Sequence, residues 1–447
     1  MNALYKYNIL ALLVVALLAG CTEQLELEPA QSISENLALN SDKNIKTALV
    51  GAYDALSNGD VFGGNALRNS ELLGGDDEIQ WVGTFNSPRE IFNKRMISSN
   101  LDAQELWLES YEAINVANNV LSALDKVNPA DRDRVEGEAR FIRGILYFEL
   151  VRFYAKQYED GQTNSQLGVP LVITPTRGIS KENQVSRNTV EEVYAQIIED
   201  LSQAESKLPS SNGVFANTSA AAAVLARVYL QQRNYQAARD AADRVIASGN
   251  YTLMGNYADA FNQDSNVPEY VFAIRVTSQD GVNNMNTFYS IPDFGGRDGD
   301  IDILEGHLSL YDPNDQRLAL YYEGNGAIRT GKWNNQFGNI PLIRLAEMYL
   351  IRAECNQRLG TATGATPVDD YNEVHTRAGL PAATSITLDD ILLERRLELA
   401  HEGFKIHDHR RLQIPVGSND PNSDPFIFPI PQREINANPN LVQNPGY

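Results

Sequence analysis

Cysteine is almost absent from this chain: only Cys21 and Cys355 occur among its 447 residues, so at most one intrachain disulfide could form. Basic residues are also scarce, with 37 Lys and Arg against 58 Asp and Glu, which gives a net charge of −21. Such an excess of acid repels phosphate backbones and anionic lipid surfaces. Nucleic-acid binding and a helix lying flat on an anionic leaflet are therefore both disfavoured.

Catalytic and metal-binding fingerprints are missing as well. The sequence has no phosphate-binding loop, no nucleophile elbow and no dinucleotide-binding glycine motif. Three of its five histidines, His401, His407 and His409, are close together, but no second histidine follows His401 at the i+4 spacing of a zinc-protease helix. We therefore predict an exposed or capping helix end with a charge network at this point, and no metal site.

The only long hydrophobic run spans 9–19, after a single positive charge at Lys6. It is too short to cross a bilayer but has the length of a signal-peptide core. Residues 18–21 read Leu-Ala-Gly-Cys, the small residues and thiol that a lipoprotein signal peptidase requires. We predict a signal peptide at 1–20, lipidation (including palmitate) at Cys21, and an acidic tether at 21–40.

The second cysteine is expected to be structural. If Cys21 carries lipid, it cannot pair with Cys355. Cys355 lies in the apolar-periodic segment 341–360, where a small buried hydrophobe is the simplest interpretation. No neighbouring residue would lower its pKa enough for catalysis.

Apolar residues recur at helical spacing over most of the chain. Capping residues support two helix starts, because Thr189 and Thr387 each precede a pair of acidic residues. One convincing strand is predicted at 270–276. The predicted helices are 42–56, 103–126, 131–158, 190–208, 219–232, 235–248, 342–359, 368–378 and 388–401.

Three of these helices share a short repeat. Segments 144–147, 226–229 and 346–349 each place a small residue three positions before a tyrosine. The small residue lets a paired helix approach, and the tyrosine fills the groove, as in tetratricopeptide repeats. We predict a mainly α fold of tetratricopeptide-like helix pairs, interrupted by long insertions and a few short strands.

The predicted helical scaffold comprises mainly 41–58, 102–250 and 341–412. Two Gly-, Asn- and Asp-rich insertions, 59–101 and 251–340, separate its parts. A Pro/Asn-rich segment, 415–447, ends the chain and is predicted to contain no regular helix. Long loops in a compact domain are usually functional or disordered, and aromatic residues here favour function.

Aromatic side chains in the insertions are the candidate ligand contacts. Sugar rings present C–H faces that stack on aromatic rings, while their hydroxyls pair with Asp, Asn and Arg side chains. The alternative, which applies to each residue separately, is an aromatic that anchors its loop on the helical body. The candidate ligand-binding residues are Asp77, Trp81, Phe85, Asn86, Tyr289, Phe294, Arg297 and Asp298.

Clustered carboxylates leave two further hypotheses open. Asp298, Asp300 and Asp302 alternate as calcium ligands can, although the glycine and distal glutamate of an EF-hand are missing. A structural calcium is therefore kept as a hypothesis, and no other cofactor is expected. The second hypothesis is a glycosidase, which would need one carboxyl group with a raised pKa facing another across the bound sugar. Carboxylates that are merely neighbours in sequence, such as Asp76 and Asp77, do not show such a pair.

Three motifs together resemble the SusD/RagB family over essentially the whole mature chain. Segment 138–154, EARFIRGILYFELVRFY, is similar to its signature helix, and 394–412 resembles its late helical motif. Segment 429–447, PIPQREINANPNLVQNPGY, is similar to its characteristic C-terminus. One departure is Ile406-His407, where the family usually has an aromatic pair.

The resemblance implies a non-catalytic, lipid-anchored outer-membrane protein that faces the cell exterior. It also implies capture of oligosaccharides for a SusC-like TonB-dependent transporter, on which the protein sits as a lid. The family's signature residues are structural, so the resemblance assigns no ligand contact. The alternatives, in decreasing order, are a RagB-like lid that captures peptides, and then a secreted glycosidase or a periplasm-facing assembly scaffold.

Overall fold

The structure is a computed structural model that describes residues 39–178, 180–279 and 281–447, so the predicted signal peptide and Cys21 lie outside the described residues. Within these ranges, helices dominate and the strands are short. The helices are α1 (Asp42–Leu56), α2 (Asn65–Gly74), α3 (Asn86–Phe92), α4 (Leu101–Ser122), α5 (Arg132–Tyr154), α6 (Val190–Lys207), α7 (Thr218–Gln231), α8 (Tyr235–Ala247), α9 (Asn284–Tyr289), α10 (Glu305–Leu308), α11 (Leu345–Leu359), α12 (Pro367–His375), α13 (Leu388–Glu398), α14 (Lys405–Leu412) and α15 (Gln432–Ala437).

The scaffold is built from helices that pack on their neighbours in sequence. The contacts run from α4 through α5, α6, α7 and α8, while α1 covers α4 and α5. Helix α11 then packs on α8 and is covered by α12 and α13. Thr189 and Thr387 form the predicted caps, each in a capping box with the residue three positions later. The predicted fold of tetratricopeptide-like helix pairs is confirmed.

The small residue of the first repeat is needed for close packing. A Cβ at Gly144 would lie 2.9 Å from Cγ of Leu201 on α6, closer than real Cβ contacts allow. Tyr147, one turn later, is fully buried and donates to the carbonyl of Val172 at 2.9 Å. The pair therefore sets the distance between α5 and α6, as the repeat predicts.

Six short strands complete the described elements. They are β1 (Ile79–Trp81), β2 (Tyr270–Ile274), β3 (Ile301–Ile303), β4 (Tyr321–Gly324), β5 (Ala327–Thr330) and β6 (Ile340–Arg344). An antiparallel sheet has the order β1-β3-β5-β4, and β2 pairs separately with β6. Because β1 belongs to the first insertion and β3 to β5 to the second, this sheet joins the two insertions.

Two sequence predictions about secondary structure are wrong. The first insertion was predicted to be loop-rich, yet it contains α2, whose ten residues are all buried. Polar residues interrupt its apolar pattern, and two of them are buried with partners distant in sequence: Arg68 contacts Asp102, and Glu71 accepts from the backbone of Gly403 and Phe404. The C-terminal segment was predicted to lack regular helix, but it contains α15.

One helix boundary also differs from the prediction. The helix expected at 342–359 begins only at Leu345, because 340–344 forms strand β6 against β2. All five residues of each strand are buried, so their continuous apolar runs resemble a helix core. Among the described residues, no helix is long and apolar enough to cross a membrane.

The C-terminal motif closes onto the end of the signature helix. Asn444 donates to the carbonyls of Tyr154 and Phe428, both at 2.8 Å, and accepts from Arg187 at 2.9 Å. Tyr447 donates to the carbonyl of Ile427 at 2.7 Å. The motif thus supplies hydrogen-bond donors to backbone carbonyls at the end of the signature helix and of the segment before the motif.

Candidate functional site

The strand pair β1–β3 brings the two candidate loops together. Trp81 is opposite Ile301 in this pair, and the Trp81 ring lies 5.9 Å from the ring of Phe288. Phe85 packs edge-on against Phe288, with ring centroids 6.1 Å apart. The guanidinium carbon of the buried Arg68 lies 4.2 Å from the centroid of the Phe288 ring. The loops therefore share one buried aromatic base.

An exposed aromatic–cation platform lies on this base. Phe85 is 49% exposed, and the guanidinium carbon of Arg297 lies 4.3 Å from its ring centroid. Arg297 donates to both carboxylate oxygens of Asp300 at 2.9 Å and to the Thr84 hydroxyl at 3.0 Å. These hydrogen bonds fix the orientation of Arg297, and those to Asp300 raise its pKa. We call Thr84, Phe85, Asn86, Arg297 and Asp300 the aromatic platform.

The platform includes three of the predicted contacts, Phe85, Asn86 and Arg297. Asn86 is exposed, and its side-chain oxygen accepts from Arg89 at 3.3 Å. Thr84 and Asp300 were not predicted as ligand contacts, although Asp300 was a candidate calcium ligand. Thr84 is adjacent to Phe85 and Asp300 follows Arg297 by three positions, and such proximity does not by itself distinguish a partner from a neighbour.

The other predicted contacts have different surroundings. Trp81 is buried, and its Nε1 has no partner among the described residues. Tyr289 is fully buried, so it does not reach the surface. Phe294 is 41% exposed, with its ring centroid 5.5 Å from that of Tyr322. Asp77 and Asp298 are exposed, and Asp298 accepts from Asn325.

Two of the three carboxylates of the calcium hypothesis are paired with arginines. Asp300 binds Arg297, as described, and Asp302 lies 2.6 Å from Arg329. Among the described residues, no group of three or more His, Cys, Asp or Glu side chains could hold a metal ion. The calcium hypothesis stays untested.

The histidine segment and the second cysteine are structural. His401 and His407 are buried, so the prediction of an exposed or capping helix end is wrong there, while the predicted charge network exists: Asp408 binds Arg395 and Arg411. His407 is covered because its helix, α14, packs against α2 and α7, whereas His401 contacts the rings of Tyr289, His307 and Tyr321. Cys355 is a free, buried thiol whose pKa is raised by burial, as predicted for an inert residue.

Comparison with known proteins decides the relationship. A family model described as starch-binding and associating with the outer membrane matches residues 23–230. A second model, of the SusD family, matches residues 321–426 and 413–447. The chain belongs to the SusD/RagB family. The resemblance seen in the three motifs is thereby confirmed.

Curated relatives and solved structures agree with this assignment. A SusD-like protein of Formosa agariphila is 25% identical over 99% of this chain and 100% of its own length. A SusD-like protein of Bacteroides ovatus is 26% identical over 91% of this chain and 83% of its own. A SusD superfamily crystal structure from Bacteroides thetaiotaomicron has a TM-score of 0.80 and 26% identity, covering 91% of this chain and all of that one.

A putative sugar binding protein of Bacteroides vulgatus matches similarly, with a TM-score of 0.81 and 26% identity over 92% of this chain and 99% of that one. SusD/RagB proteins are carbohydrate-binding proteins without catalytic activity. The prediction that this chain is not an enzyme is therefore confirmed by its family. Asn444, in the C-terminal motif of that family, is buried and hydrogen-bonded to the end of the signature helix, so it does not reach the surface.

Proposed function

We propose that this SusD/RagB protein captures oligosaccharides at the cell surface through the aromatic platform and delivers them to a SusC-like TonB-dependent transporter. The observation that carries the proposal is the exposed Phe85 ring beside a fixed Arg297–Asp300 pair. An aromatic face accepts the C–H side of a sugar ring, while the neighbouring charged and amide groups exchange hydrogen bonds with its hydroxyls.

Fixed geometry favours binding at this platform. Arg297 is held by Asp300 and Thr84 before any ligand arrives, so little side-chain entropy is lost on binding. Asn86 adds an amide group next to Phe85 in sequence, exposed to solvent. The resemblance in sequence and fold to a putative sugar binding protein of Bacteroides vulgatus supports the same ligand class.

Replacing Phe85 by alanine is expected to weaken oligosaccharide binding about tenfold, because a lost central aromatic contact costs about 1.4 kcal/mol or more. The measurement is isothermal titration of the lipid-free protein, residues 22–447, against a panel of soluble polysaccharides and oligosaccharides. Val442→Ala is the control, since Val442 is an exposed apolar residue (57%) outside the platform.

Two outcomes would contradict the glycan proposal in different ways. If Phe85→Ala and the unsubstituted protein bind the glycan with equal affinity, the glycan site lies outside the platform. No binding across the panel would favour a peptide ligand, or binding only by the complex with the transporter. Trp81→Ala is the poorer variant, because Trp81 is buried and its loss would also disturb the β1–β3 pair.

Membrane attachment is proposed to depend on Cys21. Cys21→Ser should transfer the protein from the outer-membrane fraction to the soluble fraction, because it removes the acyl chains that hold it there. Cys355→Ser is the matched control, since Cys355 is a buried free thiol and its loss should leave the protein in the membrane. Membrane retention of Cys21→Ser would refute lipid anchoring.

Exposure to the cell exterior has its own test. Protease added to intact cells should digest the protein if it is a surface lid. If the protein is protected in intact cells and digested only after the outer membrane is permeabilised, a periplasm-facing scaffold is favoured instead.

A further inference from the structure

A cavity of about 340 Å³ lies in the helical scaffold, outside both insertions. This volume falls within the range of small-molecule sites, about 300–1,000 Å³. The segment after α5, the turn between α7 and α8 and the end of α11 form its walls. We call it the scaffold cavity. Its lining includes Tyr158, Asp160, Gln232, Arg233, Asn234 and Tyr235, and none of the five platform residues.

Two buried glutamines hold the walls of the scaffold cavity together. Gln157 donates to the backbone carbonyl of Gln231 at 2.9 Å. Gln231 in turn donates to the side-chain oxygen of Gln157 at 2.7 Å. Tyr158 and Gln232 are the next residues along the chain, and both line the cavity. The reciprocal pair therefore fixes the position of the cavity walls before any ligand binds.

Two polar side chains of the scaffold cavity lack partners. Gln232 is only 8% exposed, and its amide forms no hydrogen bond with any described residue. Both amide atoms nevertheless retain accessible surface. The guanidinium of Arg233 forms neither a hydrogen bond nor an ion pair within the described part of the chain. Because shielded polar groups without partners are costly, both side chains favour a ligand that can form hydrogen bonds.

Two tyrosine rings lie beside these polar groups. Tyr158 and Tyr235 line the scaffold cavity and are half-buried. The ring centroid of Tyr158 lies 5.0 Å from that of Tyr194, and the guanidinium carbon of Arg358 lies 4.8 Å from the centroid of the Tyr235 ring. These contacts support the two rings, whose accessible parts provide aromatic surface next to polar groups.

The charges of the scaffold cavity disfavour several classes of ligand. Arg233 would repel a cation, and the exposed carboxylate of Asp160 would repel an anion. A purely apolar molecule would leave Gln232 and Arg233 without partners. A neutral molecule with several hydroxyls avoids all three penalties, because each hydroxyl can both donate and accept.

We propose that the scaffold cavity binds a neutral sugar residue, which gives this protein a second carbohydrate site. The C–H face of the sugar contacts the tyrosine rings, while its hydroxyls accept from Arg233, exchange hydrogen bonds with Gln232 and donate to Asp160. The inference shares its ligand class with the proposed function but depends on none of the platform residues. A polysaccharide that engages both sites would bind more tightly than either site alone allows.

Isothermal titration of the lipid-free protein, residues 22–447, counts the sites with four short neutral probes: maltotriose, laminaritriose, cellotriose and mannotriose. At least one probe should bind with two molecules per chain. Phe85→Ala should weaken one of these binding events about tenfold and leave the other unchanged. If none of the four probes binds, the scaffold cavity is not a carbohydrate site.

Two variants assign the second binding event to the scaffold cavity. Gln232→Met removes an amide that bonds to no described residue and keeps the side-chain length. Arg233→Gly removes the guanidinium at a backbone φ of 61°, which glycine adopts readily. Each variant should weaken the event that Phe85→Ala leaves unchanged about tenfold, with circular dichroism checking the fold.

The pattern of losses separates this proposal from that for the platform. If binding is lost only in Phe85→Ala and both Gln232→Met and Arg233→Gly bind like the unsubstituted protein, the scaffold cavity proposal is overturned and the platform proposal stands. If binding is lost only in Gln232→Met and Arg233→Gly, the scaffold cavity is the sugar site and the platform is not.

Discussion

Replacing Glu398 by glutamine is expected to lower the free energy of unfolding by about 3–5 kcal/mol, the range found when one partner of a buried ion pair is removed. Glu398 is fully buried, and its carboxylate lies 2.6 Å from Arg344, 3.5 Å from Arg317, and in contact with Arg377. Burial alone would raise its pKa, but these arginines keep it well below the ordinary value. Glutamine keeps the shape and removes the charge.

The loss should be large because Glu398 connects three parts of the chain. Arg317 belongs to the second insertion, Arg344 ends strand β6, and Arg377 follows helix α12. Urea unfolding measures the effect. Glu323→Gln is the control, because Glu323 is exposed on β4 and should change stability by less than about 0.5 kcal/mol. Equal midpoints for the two variants would show that the network contributes little.

The helical scaffold could be predicted because its signal is local. The boundaries of α1 agree with the prediction at both ends, since an apolar stripe and Ser41, whose side chain accepts from Asn44, define the helix within a few turns. Helix α2 was missed because burial of Arg68 and Glu71 depends on Asp102 and on the backbone of 403–405, which are distant in sequence. Local periodicity contains no information about such partners.

The sequence indicated which loops would form the aromatic platform, but not which of their residues belong to it. Both loops were marked by aromatics among polar residues, and the structure joins Phe85 to Arg297 although 212 positions separate them. The same composition marked Tyr289, which is fully buried. The β1–β3 pairing decides which of these aromatic side chains are exposed. Each of these strands has three residues, which is too short for sequence periodicity to reveal.

Stability is expected to fall as the pH is lowered through 6.5 toward 4.5, because two fully buried histidines must stay neutral in the folded protein. Burial lowers the pKa values of His401 and His407 well below 6.5, so below that pH the unfolded chain binds two more protons at these sites. Stability from a lowered pKa is present above the unfolded value and is lost as the pH falls.

Glu71 opposes part of this loss. Burial raises its pKa to about 7, so the folded protein holds a proton there between about pH 4.5 and 7 that the unfolded chain has released. One excess proton in the unfolded state remains, which gives a loss of about 1.4 kcal/mol per pH unit from these three groups. Below about pH 4.5 the unfolded Glu71 is also protonated, so the loss becomes steeper.

Substitution of His407 by phenylalanine should reduce this slope by about 1.4 kcal/mol per pH unit, because it removes one of the buried imidazoles whose pKa is lowered. Both ring nitrogens of His407 lack partners among the described residues, and the ring packs edge-on against Phe153 with centroids 5.1 Å apart. The substitution therefore removes no hydrogen bond from the described residues and keeps an aromatic contact. Urea unfolding at pH 8.0 and 5.5 makes the comparison: the variant should resemble the unsubstituted protein at pH 8.0 and exceed its stability at pH 5.5. An unchanged difference between the two pH values would show that His407 does not control the acid sensitivity.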